Sequence, residues 1–224
     1  MKVKPVALDK TVEWLKYEFT SQTENSATIA LQWEKLSIPF KVEVDYVKTQ
    51  LQAFRRELRD QRSFSQGWRP YQQAAQFTIN RNVDLEEGLQ WADQAVSGAV
   101  GQANFTTLST KASVLSKMNR DKEADSIMKQ ALPLGSMPEL HAYGRQLLQQ
   151  KRIKDALEVF QMNFKKNPNQ FTTLMGLVRG YSANADYKNA LKYAQMALPL
   201  APPGANKTNV ENMIDKLKKG EDVN

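Results

Sequence analysis

Two hydrophobic periods divide the chain. Leu15, Tyr17 and Phe19 alternate with Lys16 and Glu18 within Val12 to Phe19; after the polar stretch Ser21 to Ser26, Ile29, Leu31 and Trp33 alternate with Thr28, Ala30 and Gln32. A period of two sends successive side chains to opposite faces, so this region predicts an antiparallel β-hairpin. Ile38, Phe40, Val42 and Val44 carry the alternation past Pro39, which fits a bend or an edge strand. From about Val44 to Arg62 the period changes: Val47, Leu51, Phe54 and Leu58 stand three or four apart, the mark of an amphipathic helix. Ser63 to Arg69, with Gly67, breaks that pattern, and helical spacing then runs in short segments to the end.

The clearest of these segments is Leu140 to Pro168. Leu140, Tyr143, Gly144 and Leu147 form one stripe of a first helix, and Gly144 admits a close neighbour. Ala156 and Phe160 are the small and large contact residues of a second helix, and Pro168 ends the unit because it cannot continue a helix. Leu174, Leu177, Tyr181, Ala190, Ala194, Ala197 and Pro202 repeat the pattern, with Ala190 standing 34 residues after Ala156. Leu108, Ala112, Leu115, Ala124, Met128 and Ala131 give a copy 32 residues before, and Ala75, Ile79, Gly88, Ala92 and Ala95 one 36 residues before that, its extra length assigned to the loop Ser97 to Gly101. Ala131-Leu132-Pro133-Leu134 returns as Ala197-Leu198-Pro199-Leu200, 66 residues on, which is independent support for duplication.

This spacing resembles the tetratricopeptide (TPR) repeat, a helical hairpin that cannot bury its apolar face alone and therefore stacks. The expected fold is mainly α: a TPR-like α-α superhelix, or solenoid, with a small N-terminal antiparallel β-hairpin. Its parts are 1–44, the hairpin as remnant of a larger β-domain; 45–66, a linking and capping helix; 67–204, four TPR-like helical hairpins; and 205–224, a closing helix with the stripe Val210, Met213, Ile214 and Leu217, then a frayed tail from Gly220.

The segment Pro5 to Phe19, with Ala30-Leu31-Gln32-Trp33-Glu34-Lys35 and Ile38-Pro39-Phe40, resembles the last strands of a bacterial β-domain, the domain-of-unknown-function family 2911. The helical remainder looks like the TPR extension that some members carry. This resemblance implies a sequence that starts inside the β-domain and a parent in the periplasm or cell envelope. It implies no catalytic residues, because the family has none assigned. Met1 to Pro5 lead into the strand pattern with no apolar signal region, and no run reaches the roughly 18 to 20 apolar residues of a membrane span.

Composition narrows the chemistry. The 224 residues contain no cysteine, which removes disulfides, thiol nucleophiles and cysteine-ligated metals together. His141, alone of its kind, does not make the multi-histidine sites of zinc or non-haem iron. No phosphate-loop, hydrolase-elbow or zincin spacing occurs, so the chain is read as non-enzymatic, without cofactor. Glu86-Glu87 suits a helix start, where the dipole favours acids, and Trp14, Trp33, Trp68 and Trp91 are assigned to core or capping positions rather than to base stacking. The net charge of +7 is spread among acids over every helix, which argues for solvated surface and against nucleic acid.

What remains is a partner held in the trough lined by the first helices. Its non-core positions read Gln73, Phe77, Asn80 and Arg81, then Ser109, Ser113, Ser116 and Lys117, then His141, Arg145 and Gln149, then Met175, Arg179 and Ser182. Phe77, Arg81, Lys117, His141, Arg145, Gln149, Met175 and Arg179 are the candidate groove residues. Arg145 and Arg179 fall 34 residues apart at one repeat position, where two guanidiniums suit an acidic peptide. The expected partner is a protein or peptide, acidic in part. The alternatives are an accessory arm of a ligand-binding or catalytic β-domain, and a basic solenoid on nucleic acid, which rests on net charge alone.

Overall fold

A computed structural model describes residues 2–59 and 65–224; Arg62, the expected end of the linking helix, and Ser63, the start of the break after it, lie outside the described residues. The alternating region forms β1 (Val6–Gln22) and β2 (Ser26–Glu43), paired antiparallel, so both strands reach beyond the alternating runs. Tyr17 stands opposite Leu31 and Phe19 opposite Ile29, while Glu18 and Lys16 stand opposite Ala30 and Gln32. Register shifts occur between Ala7 and Val12, between Val12 and Lys16 and between Phe19 and Ser21, and such shifts bend and twist a ribbon. Extended, the 18 residues of β2 would run for about 60 Å. Yet the Val44 amide donates to the Asn25 carbonyl at 2.8 Å, so β2 turns back on itself, and Glu34, midway, has a φ of 50°.

The helical remainder follows the predicted pattern of hairpins. After α1 (Tyr46–Glu57) come α2 (Arg69–Arg81) with α3 (Leu85–Ser97), α4 (Phe105–Lys117) with α5 (Asp121–Ala131), α6 (Met137–Gln149) with α7 (Ile153–Lys166), and α8 (Phe171–Ala183) with α9 (Tyr187–Ala197); α10 (Ala205–Lys218) closes the set. The repeated Ala-Leu-Pro-Leu sequence does one job twice. Leu132–Leu134 and Leu198–Leu200 are both 3₁₀ turns directly after a second helix.

Three of the turns between first and second helix are superimposable in their bonding. The amides of Arg120, Arg152 and Asp186 donate to the carbonyls of Leu115, Leu147 and Tyr181, each at 2.9 Å, and the residues before them, Asn119, Lys151 and Ala185, have φ of 60°, 60° and 58°. This is the left-handed closure by which a helix satisfies its last carbonyls. Its recurrence fixes the repeat register independently of side-chain pattern. The fold is a TPR-like helical solenoid.

Packing shows why small and large residues alternate in the repeat. Phe160 is fully buried, and a Cβ placed on Gly144 of α6 would come within 2.4 Å of its ring, one on Gly176 of α8 within 2.6 Å and one on Gly180 within 2.9 Å. A single ring on α7 thus fills the space that three glycines leave. At the N-terminal end α1 lays Leu51 against Ala74, Ala75, Trp91 and Ala92. Phe54 meets Phe77 and Trp91 at ring distances of 5.6 and 6.1 Å, and Arg55 donates from Nε and Nη2 to Glu87 and from Nη2 to Asp84, both at the start of α3.

Two expectations need correction. The tail is not frayed: Gly220, with φ of 74°, reverses the chain, and Val223 is buried in one cluster with Met175, Val178 and Val210. Trp91 is a core residue, but Trp14 is 83% exposed and Trp33 56%, so alternation placed them on strand faces that nothing among the described residues encloses.

Candidate peptide groove

The equivalent turns establish which residues of the first helices correspond to one another. Ser109, His141 and Met175 hold one position, Ser113, Arg145 and Arg179 the next turn of that stripe, and Lys117 and Gln149 the one after. The first hairpin carries one more residue in its turn. Both Asn82 and Asp84 are left-handed there, with φ of 52° and 44°, and the Val83 amide donates to the Thr78 carbonyl at 3.2 Å, so Thr78 stands where Leu115 stands in the next repeat. Gln72, Gln76 and Asn80 therefore take the inward stripe of α2.

Phe77 and Arg81, one residue later, point about 100° away. Phe77 is edge-on to Tyr46 and Phe54, and Arg81 lies over the Tyr46 and Phe77 rings while pairing with Glu24 in the turn of the ribbon. Neither lines the groove. Counting back 36 residues, the interval from Gly88 to Ala124, concealed this, because the loop before α4 does take up that interval's surplus while the turn between α2 and α3 holds one residue more.

A hollow of the solenoid opens at α4. A cavity of about 700 Å³ runs from Gln72 and Gln76 on α2, past Ser109, Ser113 and Lys117 on α4, to Tyr143 and Gln146 on α6. Of the eight candidate residues, Lys117 alone lines it. The hydroxyls here already donate: Ser109 and Thr110 to the Thr106 carbonyl at 3.1 and 2.8 Å, Ser113 to the Ser109 carbonyl at 2.8 Å. Thr110 already accepts from the Gln72 amide at 3.0 Å, while the Ser109 and Ser113 oxygens keep lone pairs for an incoming N–H, and Gln146 adds an amide that both donates and accepts. Charge is mixed rather than basic. Lys117 and Arg152 face Asp121, Asp125 and Glu139, and Arg152 is held by Asp125 at 3.1 Å and Asp155 at 2.6 Å. Burial would raise Glu139, but donation from the Ser136 hydroxyl and amide and from the Thr106 hydroxyl outweighs it and keeps the carboxyl below its ordinary range.

The other candidates gather one repeat further on. His141 lies 5.7 Å from the Phe160 ring, its Nδ1 buried with no hydrogen-bond partner among the described residues. Burial lowers its pKa, and the charges of Arg145 and Arg179 lower it further, against a smaller pull from the Thr172 backbone. The imidazole is therefore neutral at neutral pH. Burial also lowers Arg179, helped by Arg145 and opposed by Asp222, so the two arginines and the histidine share one neighbourhood. Met175 is buried, and Gln149 is exposed at the end of α6. Among the described residues no group of three or more His, Cys, Asp or Glu side chains could hold a metal ion, and no helix is long and apolar enough to cross a membrane.

No family model matches the chain, and no curated protein matches it either. Solved structures with a similar course include two repeat proteins. YrrB, described as a TPR protein with an unusual peptide-binding site, is 18% identical over 77% of this chain and 87% of its own, with a TM-score of 0.44. A TPR protein from Parabacteroides merdae is 14% identical over 78% of this chain and 70% of its own, with a TM-score of 0.47. MamA from Desulfovibrio magneticus is 16% identical over 68% and 93%, with a TM-score of 0.42.

Proposed function

We propose that the chain is a non-catalytic interaction module that holds an extended protein or peptide segment along the inward faces of α2, α4, α6 and α8. The observation that carries this is the trough of about 700 Å³ at α4, where side-chain oxygens stand ready to accept from a peptide backbone. Acidic residues of the partner would lie toward Arg145 and Arg179, because the trough at α4 already holds three carboxylates. Nucleic acid is a poor fit for the same reason, and titrations with DNA or RNA at low salt should stay flat. The test is a peptide array probed with the wild chain, with Ser113→Arg to block the trough, and with Lys154→Glu on the outer surface. Selective loss with Ser113→Arg supports the reading, and identical profiles for all three overturn it.

A second reading is favoured by the ribbon. Trp14, Leu15, Tyr17, Phe19 and Trp33 are all more than half exposed, and both strands offer unpaired edges. On this reading the ribbon ends a larger β-domain of family 2911 in an envelope protein, and the solenoid is its arm. Extending the sequence upstream and measuring ligand-dependent melting decides it: a shift confined to the longer protein supports the arm, and its absence removes it.

A further inference from the structure

The end of the solenoid shows its inward face in use. After Gly220 the chain runs back onto α8, where the Ser182 hydroxyl donates to Asp222 Oδ1 at 2.6 Å and accepts from the Val223 amide at 3.0 Å. Asn224 Nδ2 donates to the Arg179 carbonyl at 3.1 Å and to Asp222 Oδ1 at 2.8 Å. The Val223 side chain is 8% exposed, clustered with Met175 and Val178. Met175 and Arg179 hold the repeat positions that Ser109 and Ser113 hold in the trough at α4. What lies over those positions at α8 is a short stretch of this chain, bound by its backbone, one carboxylate and one aliphatic side chain.

We propose that this part of α8 is a subsite for short segments in which an acidic residue precedes an aliphatic one, and that residues 221–224 are its resident occupant, displaced when a partner brings the same pair. The proposal rests on the reading of the inward face as a peptide-holding surface, and it names what one end of that surface accepts. The acid is read by the Ser182 hydroxyl, with the Arg179 charge nearby, and the aliphatic side chain by the apolar cluster that contains Met175 and Val178. An isolated carboxylate would lack the apolar contact, and an isolated aliphatic residue would leave the hydroxyl without its acceptor.

The test uses the full chain with Asp222→Ser and Val223→Ser together, which loosens the tail, and a blocked fluorescent peptide of sequence Lys-Gly-Glu-Asp-Val-Asn as the probe. The loosened chain should bind the probe at least about tenfold more tightly than the wild chain in fluorescence anisotropy, and Met175→Glu in the loosened chain should abolish that binding. Equal binding to both chains, or none to a loosened chain that retains its helical circular dichroism, overturns the proposal. Should the loosened chain fail to fold, hydrogen exchange on the wild chain answers instead: excess probe should speed exchange of the Val223 amide, and an unchanged rate overturns the proposal. Ser113→Arg blocks only the trough at α4 and should leave probe binding as it was, so the two readings fail separately.

Discussion

The ribbon and the solenoid take the same kinds of residue and treat them in opposite ways. In the solenoid the large apolar side chains have a neighbour by construction, since each hairpin supplies the surface that the next one needs; Phe160, Leu140, Leu147 and Leu174 are all within 1% of full burial. In the ribbon Trp14, Tyr17 and Phe19 turn outward, and the enclosed positions are Ala30, Gln32 and Ser37. Periodicity states which face of an element asks for cover. Only repetition, or a partner, provides it.

The sharpest way to break that contrast is to cut one aromatic from each region. Phe160→Ala should cost about 3 to 5 kcal/mol in urea unfolding followed by helical circular dichroism, because both transfer and cavity terms apply, whereas Trp14→Ala should stay within about 0.5 kcal/mol. Equal costs would mean the ribbon is packed in solution. Gly144→Ala sharpens the solenoid side: the added carbon would sit 2.4 Å from the Phe160 ring, and overpacking of that kind costs about 1 to 3 kcal/mol by the same measurement.

A titration isolates a smaller contribution. His141 is lowered in the fold from the ordinary 6.5, so the unfolded chain takes up its proton first as pH falls. Its contribution to stability is complete above about 6.5 and shrinks below that value until the folded histidine titrates as well. Melting temperature should therefore fall from pH 7 toward pH 5 by more in the wild chain than in His141→Phe, and parallel curves would show that the imidazole is not buried as described. The smallest effect concerns the ribbon's attachment. Arg81→Ala removes the pairing with Glu24 and the contact over Tyr46, and should speed amide exchange at Val44 and Tyr46 while leaving the midpoint of the solenoid unmoved. Unchanged exchange would assign the attachment to the backbone bond between Val44 and Asn25 instead.

Much of this architecture was legible because a repeat states its rule several times. The stripe of α6 and its small-large partner on α7 appeared in the sequence, and the duplicated Ala-Leu-Pro-Leu already marked two equivalent turns. Three things escaped for physical reasons. The exposure of Trp14 and Trp33 depends on what stands opposite a face, and alternation does not encode that. Gln72 and Gln76 were passed over for Phe77 and Arg81, because the second left-handed residue, Asp84, adds one position between α2 and α3 that no apolar spacing marks. The docked tail was hidden because Val223 is one aliphatic residue among polar ones, too short a signal for any period. A usable hint existed in Gly220, which stands where a helix is made to reverse.

The ring of Phe160 touches both the helix before its own and the helix after it, so two successive hairpins share one bolt. A superhelix with such a bolt keeps its pitch at that joint. At the ribbon end Arg81, paired with Glu24, ties the first hairpin to the strands, so one joint is held by a ring and the other by charge.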